Sequence, residues 1–428
     1  MTSLWLKENS FPQFPSLKGE VKTDVLIIGG GLCGLLCGYE FNRLGVDCII
    51  AEGERISRKT TAHTTAKITS QHGLIYKDIV KKYSVEAAQK YYSINQKAIE
   101  EYNKLCKSID CKIERKDNFI YSLSSLKKLD DEMTALEKIG AKAKFFPSLS
   151  ELPFDVLGGI RFSNQAQFDP LAFTSALAKR LNIYENSHIK GFDGKFYYGK
   201  DFRIKADKVI VATHFPIFNK LGGYSLKMYQ SRSYVIALKN STDLKGMYLD
   251  ESEKGLSLRN HNGYLLIGGG GHRTGKASTA WKTAESAAKK YYPGSEIPFR
   301  WAAQDCMTLD GMPYIGRYSK NNPDIFVATG FNKWGMSTSM VAALILKDLI
   351  FGKTNEFADI FSPSRSVLHP QLAVNAFETA VSFLTPTRHR CPHLGCALKW
   401  NKQEHSWDCT CHGSRLTEDG KILDGPAN

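Results

Sequence analysis

Two short runs near the end of the 428-residue chain gather the residue types best able to do chemistry together. Cys391-Pro392-His393-Leu394-Gly395-Cys396 holds a C-x-H pair, and Cys409-Thr410-Cys411-His412-Gly413-Ser414 holds a C-x-x-H pair. Each run offers one thiolate and one imidazole, from Cys391 and His393 and from Cys409 and His412. Two thiolates on one iron and two imidazoles on the other make the donor set of a mixed-ligand [2Fe–2S] centre. Neutral imidazoles leave less negative charge on such a centre than four thiolates would, which raises its potential. A tetrahedral Cys2His2 zinc site draws on the same inventory, although its ligands usually pair Cys with Cys and His with His. With no export signal ahead of them, four cysteines between 391 and 411 point to metal before structural disulfides.

Far upstream, Gly29, Gly31 and Gly34 form G-x-G-x-x-G directly after an apolar run. The glycines allow a tight turn and a close approach of backbone to a pyrophosphate, whose charge the N–H groups of a following helix would meet. Glu52 ends the next apolar run, where a carboxylate accepts from a ribose hydroxyl. Late in the chain, the stretch from Gly330 through Asn332, Trp334, Gly335 and Met336 to Ser337 lies between an expected strand and an expected helix. Its backbone N–H groups are suited to the pyrimidine edge of a flavin, where negative charge develops on reduction. His63, Lys67, His72 and His272 are polar candidates for catalysis, each more readily explained as structural.

These motifs need elements to hold them. A strand at 24–28, the glycine turn, a helix ending near Gly45 and a strand at 47–51 make a βαβ opening. One long helix is expected over 76–107, another over 125–139 ending at Gly140, and a third over 171–181 started by Asp169-Pro170. Period-two runs at 234–238 and 263–267 indicate a β-rich second part. Gly268–Gly271 follows the latter as a close-packed turn, since Arg273 stands where a second nucleotide fingerprint would need glycine. The last long helix is expected over 337–350.

The stretch TDVLIIGGGLCGLLCGYEFNRLGVDCIIAEGERI resembles the FAD-binding opening of the D-amino-acid oxidase/glycine oxidase superfamily. TTAHTTAKITSQHG, ADKVIVATHFP, DGMPYIGR and IFVATGFNKWGMSTSMVAALIL follow as similar segments, in order, over residues 4–365. The resemblance implies FAD contacts from Thr60, Thr61, Lys67, Ile189, Ala212 and Thr213, besides the two glycine-bearing motifs. CPHLGC and CTCHGS resemble the cluster loops of respiratory-type Rieske proteins, and Gly425-Pro426-Ala427 their third loop. That likeness implies a disulfide between Cys396 and Cys411. Some sarcosine oxidases attach flavin covalently in the region of Cys306, but the spacing here matches poorly.

The expected fold is α/β, with a discontinuous Rossmann-like FAD domain at 1–85, 150–220 and 300–365. An α+β substrate domain at 86–149 and 221–299 interleaves with it, followed by a linker at 366–386. A small Rieske cluster-binding unit occupies 387–428; it is either truncated or a minimal unit that leans on the flavin domains. The resemblance implies hydride transfer from an amine or amino acid to FAD, with electrons leaving singly through the cluster to an acceptor protein or quinone. An electron-transfer reductase without a small substrate, and a redox sensor with a structural cluster, are the competing readings. Lys and Arg outnumber Asp and Glu by 57 to 43, but no concentrated basic run exists, which argues against nucleic acid. A polar N-terminus and the lack of a long apolar run lead to the expectation of a cytoplasmic protein.

Overall fold

The computed structural model describes residues 2–218, 222–366 and 368–427. The apolar positions 25–28 are buried on both faces, as a central parallel strand requires. They end the strand Gly19–Ile28, which pairs in parallel with Phe202–Val211 on one side and Cys48–Ala51 on the other. Asn322–Thr329 and Ile183–Tyr184 extend this sheet in parallel, and Tyr314–Ser319 closes one edge antiparallel. The helices Leu32–Arg43 and Gly335–Ile350 pack together, burying nearly all the side chains of the latter.

A second, mostly antiparallel sheet runs in the order Glu296–Thr308, Met228–Lys239, Tyr264–Arg273, Ser257–His261, Met247–Asp250, Glu114–Ser122, Gly158–Gln167 and Lys67–Ile68. Three of these strands, Lys67–Ile68, Gly158–Gln167 and Glu296–Thr308, fall wholly or largely in ranges the sequence reading gave to the flavin domain. The chain crosses between the sheets more often than the motif order suggests. A third sheet, Leu398–Asn401, Ser406–Cys409, Arg415–Leu416 and Ile422–Asp424, is an antiparallel meander. The architecture is the expected mixed α/β flavin-binding body with a small C-terminal β unit.

Three local expectations need correction. The single helix over 76–107 is two, Tyr76–Lys82 and Val85–Leu105, because the Ser84 hydroxyl accepts from Ala87 N–H and caps the second. The glycines at 268–271 are no turn: they lie inside the strand Tyr264–Arg273, where a Cβ on Gly271 would come within 2.4 Å of the Glu253 carbonyl oxygen. The expected linker contains the helix Pro370–Leu384, which His369 caps through its ring Nδ1 and Pro370 starts.

Candidate functional site

Beyond Ile28 the chain turns at Gly29, whose φ of 111° is open mainly to glycine. A Cβ there would stand 2.6 Å from the Ala212 carbonyl oxygen, and one on Gly34 would stand 1.9 Å from that of Gly29. These two glycines let helix and strand pack. Gly31 differs: a Cβ would meet only Thr61 Oγ1, at 3.6 Å, and the residue faces a cavity. Thr61 Oγ1 accepts from Leu32 N–H (3.1 Å), and Glu52 accepts from Gly30 N–H (2.7 Å) and Glu54 N–H (2.9 Å). Burial holds the Glu52 carboxyl above its ordinary range.

The cavity measures about 880 Å³. Gly29, Gly31, Glu52, Thr60, Thr61, Ile189, Ala212, Thr213 and Lys67 all line it, with Ala212 and Thr213 beside Gly29. Gly330, Asn332, Trp334, Gly335 and Met336 complete that wall. Gly34 and Ser337 do not line it. Ser337 Oγ instead bonds His72 Nε2 at 2.9 Å. Within the 330–335 loop, Asn332 N–H donates to the Cys306 carbonyl (3.0 Å) and Trp334 N–H to that of Phe331 (2.8 Å). The Asn332 side chain clamps Thr308 N–H (2.8 Å) and the Gly330 carbonyl (2.7 Å). The groups left for a ligand are the first-turn N–H groups of Gly335 and Met336.

The catalytic candidates separate by position. His72 is buried and stacked on Trp334, with its Nδ1 bonded to Tyr91 Oη (2.6 Å), and burial pushes it down to about 3. Lys67 donates to the Tyr248 carbonyl (2.7 Å) and to Ser257 Oγ (2.8 Å); burial, with Arg259 nearby, pushes it down to about 7. His63 lines the cavity with Nδ1 bonded to the Lys59 carbonyl (2.7 Å). His272 lies off the lining, stacked on Tyr234.

In the strand Glu296–Thr308, Ala303, Asp305 and Met307 face the cavity while Gln304 and Cys306 point to the opposite face. Cys306 Sγ accepts from Gln230 Nε2 at 3.1 Å and is directed away from any flavin in the cavity. Burial raises the Asp305 carboxyl, against the opposing pull of His214 and Lys333. Asp305 carried no spacing signal, and sheet register alone brings it to the lining, whereas Lys333 reaches the lining from the loop ahead of the Gly335–Ile350 helix.

The cluster loops meet in the third sheet. Cys396, Cys409 and His412 place ligand atoms within 4.8 Å of one another, Cys391 contacts Cys409, and the His393 and His412 rings are 5.0 Å apart. Both ring nitrogens of His393 and Nδ1 of His412 are buried without a hydrogen-bond partner. Burial, then His412, pushes His393 down to about 4, the neutral form that ligation needs. Such orphaned nitrogens beside gathered thiols fit a metal cluster. Loop spacing, and not proximity, singles out Cys391 and Cys409 from the four thiols. The side chains of Cys396 and Cys411, the pair the resemblance links, contact each other directly.

This unit closes the cavity. Ile422, Asp424, Gly425, Pro426 and Ala427 line it, and Ala427 N–H donates to Ser414 Oγ (3.1 Å), folding the third loop over the second. Phe215, another lining residue, stands edge-on to both His393 (5.9 Å) and His412 (6.3 Å). Arg232 pairs with Glu404, which also accepts from Tyr234 Oη (2.9 Å) and Arg415 (3.0 Å). Gln304 Nε2 donates to the Gly413 carbonyl (2.8 Å) and Arg273 Nε to that of Thr410 (3.0 Å).

Comparison with known proteins agrees with this geometry. Residues 24–349 match the FAD dependent oxidoreductase family and residues 371–428 the Rieske [2Fe-2S] domain. A putative Rieske 2Fe-2S iron-sulfur protein of Bacillus subtilis, YhfW, is 32% identical over 99% of this chain and 95% of its own. Glycine oxidase from Geobacillus kaustophilus superposes with a TM-score of 0.67 at 18% identity, covering 81% of this chain and 99% of that one. L-proline dehydrogenase from P. horikoshii gives 0.69 at 18% identity, covering 82% and 98%.

Proposed function

The chain belongs to the FAD dependent oxidoreductase family and carries a C-terminal Rieske [2Fe-2S] domain; on that premise we propose that it oxidises a small amine or amino acid. FAD held at the Gly31 side of the cavity would supply hydride acceptance, and a cluster held by Cys391, His393, Cys409 and His412 would supply one-electron transfer to an external acceptor. The observation that carries this reading is the shared cavity, lined at one end by Gly31 and elsewhere by the third cluster loop. A flavin in this cavity and a cluster on the Cys391 and Cys409 loops would share Phe215 as a neighbour, since it lines the cavity and stands edge-on to both histidines.

The remaining work falls to this chain's own side chains. Gly335 and Met336 N–H, at a helix N-terminus, stabilise negative charge at the lining. Lys333 holds a substrate carboxylate, while Asp305 faces the ammonium end and takes the proton an amine must lose before it can give up hydride. Burial favours that step because it raises the basicity of the Asp305 carboxylate. The names of the two structural neighbours, a glycine oxidase and an L-proline dehydrogenase, support the substrate class.

An anaerobic panel of primary and secondary amino acids and simple amines tests the reading by loss of flavin absorbance. Bleaching by at least one of them is expected, slowed by roughly 10²-fold in Asp305→Asn. Bleaching by reduced nicotinamide alone, with every amine inert, would point instead to a reductase.

A further inference from the structure

The helix Pro370–Leu384 is built inside out. Its two buried side chains are polar and engaged: Asn375 accepts from Arg273 Nη1 (2.9 Å) and donates to the Leu226 carbonyl (3.2 Å), and Ser382 Oγ accepts from Ala397 N–H (2.9 Å). Glu378 receives Lys276 Nζ at 2.6 Å. Its exposed side chains are all apolar, among them Val374, Phe377, Val381, Phe383 and Leu384. Phe377 is 68% exposed and Leu384 82%, and Leu368 just ahead of the helix is 84% exposed. Rolling the helix to hide these residues would strand Asn375, Ser382 and Glu378, so the polar anchoring fixes the apolar face outward.

The face continues into the cluster unit. Phe383 lies against the cluster loop, where a Cβ on Gly395 would be 3.7 Å from its ring, and Leu394, beside His393, is exposed as well. Charge around it is one-sided. Between 366 and 400 the only acidic residue is Glu378, already paired, whereas Arg388, Arg390 and Lys399 are exposed. The whole chain carries a net charge of +14.

We propose that the apolar face of the Pro370–Leu384 helix docks in the plane of an anionic lipid surface, seating the cluster loop at the membrane. Fifteen residues span about 22 Å, short of a ~30 Å hydrocarbon core, and no helix among the described residues is long and apolar enough to cross. An apolar face with a basic fringe is the pattern of interfacial helices. A second copy would set two basic fringes against each other. A transient protein partner would normally meet a face about as polar as ordinary surface, and this one shows no exposed polar side chain. Seated this way, the cluster loop at Leu394 lies beside an acceptor dissolved in the bilayer, an acceptor that rests on the proposed electron route.

The test is flotation of the holoprotein with vesicles of phosphatidylcholine alone or mixed with phosphatidylglycerol, alongside the double variant Phe377→Ser/Leu384→Ser. Both positions are exposed and outside the cavity, and unchanged flavin and cluster spectra verify folding. Binding to the anionic vesicles is expected, several-fold weaker without the anionic lipid and at least ten-fold weaker in the double variant. Absence of binding, or binding that the double variant retains, would overturn the proposal. So would a dimer that the variant dissociates while neither form binds vesicles, since a second copy would then cover the face. None of these readouts uses substrate, so failure here is distinct from failure of the amine chemistry.

Discussion

Gly31 and Gly34 sit three positions apart and do different work. A Cβ on Gly34 would collide with the Gly29 carbonyl at 1.9 Å, whereas the space beside Gly31 opens into the cavity. Gly34→Ala should therefore lower the melting temperature and lose FAD together, because backbone must move to admit the methyl. Gly31→Leu should leave the melting temperature of the flavin-free protein nearly unchanged and still cut bound FAD at least ten-fold, read as the flavin-to-protein absorbance ratio. Equal FAD content in Gly31→Leu and the parent would contradict this placement of the pyrophosphate. Spacing made these glycines, Glu52 and the Cys and His pairs legible in the sequence, because their chemistry requires neighbours at fixed offsets. Asp305, Phe215 and Lys333 were not legible as site residues. Asp305 is one position in a strand whose pairing with Met228–Lys239 turns it to the cavity, and no local offset encodes that register. His72 and His272 were legible only as polar residues, and their hydrogen bonds and stacking partners come from distant segments.

Among the elements, the cluster unit is held to the second sheet by a buried knot of charge. Arg232 and Arg415 both reach Glu404, with Tyr234 Oη beside them. Burial alone would raise the Glu404 carboxyl, but the two guanidinium groups outweigh it and hold the group below the ordinary glutamate range. A depressed folded value means that its stabilisation is complete above the unfolded value and is lost as pH falls through the folded one. Docking should thus persist to pH values below the usual carboxylate range and then fail. Removing one partner leaves Arg232 buried and uncompensated, so Glu404→Ala should cost about 3–5 kcal/mol in chemical unfolding and open the 385–390 stretch to limited proteolysis. Resistance to protease equal to the parent at neutral pH would contradict the role. The βαβ opening and the helices at 126–138 and 335–350 were readable from periodicity and caps. The Pro370–Leu384 helix was not, because its apolar face looks outward and its prolines, serines and threonines read as a connector. The strand through Gly268–Gly271 was hidden for a related reason: glycine scores against strands, yet the close approach of Glu253 requires it here.

At the scale of the whole molecule, the flavin body and the cluster unit form one enclosure. The third cluster loop lines the same cavity as Gly31 and Trp334, and Phe215 touches that cavity and both cluster histidines. On the proposed electron route, this shared lining is what would couple the two cofactors. The measurement that tests this most directly is EPR on anaerobic holoprotein after adding an amine that bleaches the flavin, with the Cys409→Ser variant in parallel. Substrate alone should raise the reduced-cluster signal in the parent, while Cys409→Ser should bleach its flavin and show no such signal. Flavin that bleaches fully in the parent while the cluster stays oxidised, though dithionite reduces it, would contradict the account and take the cluster off the electron route.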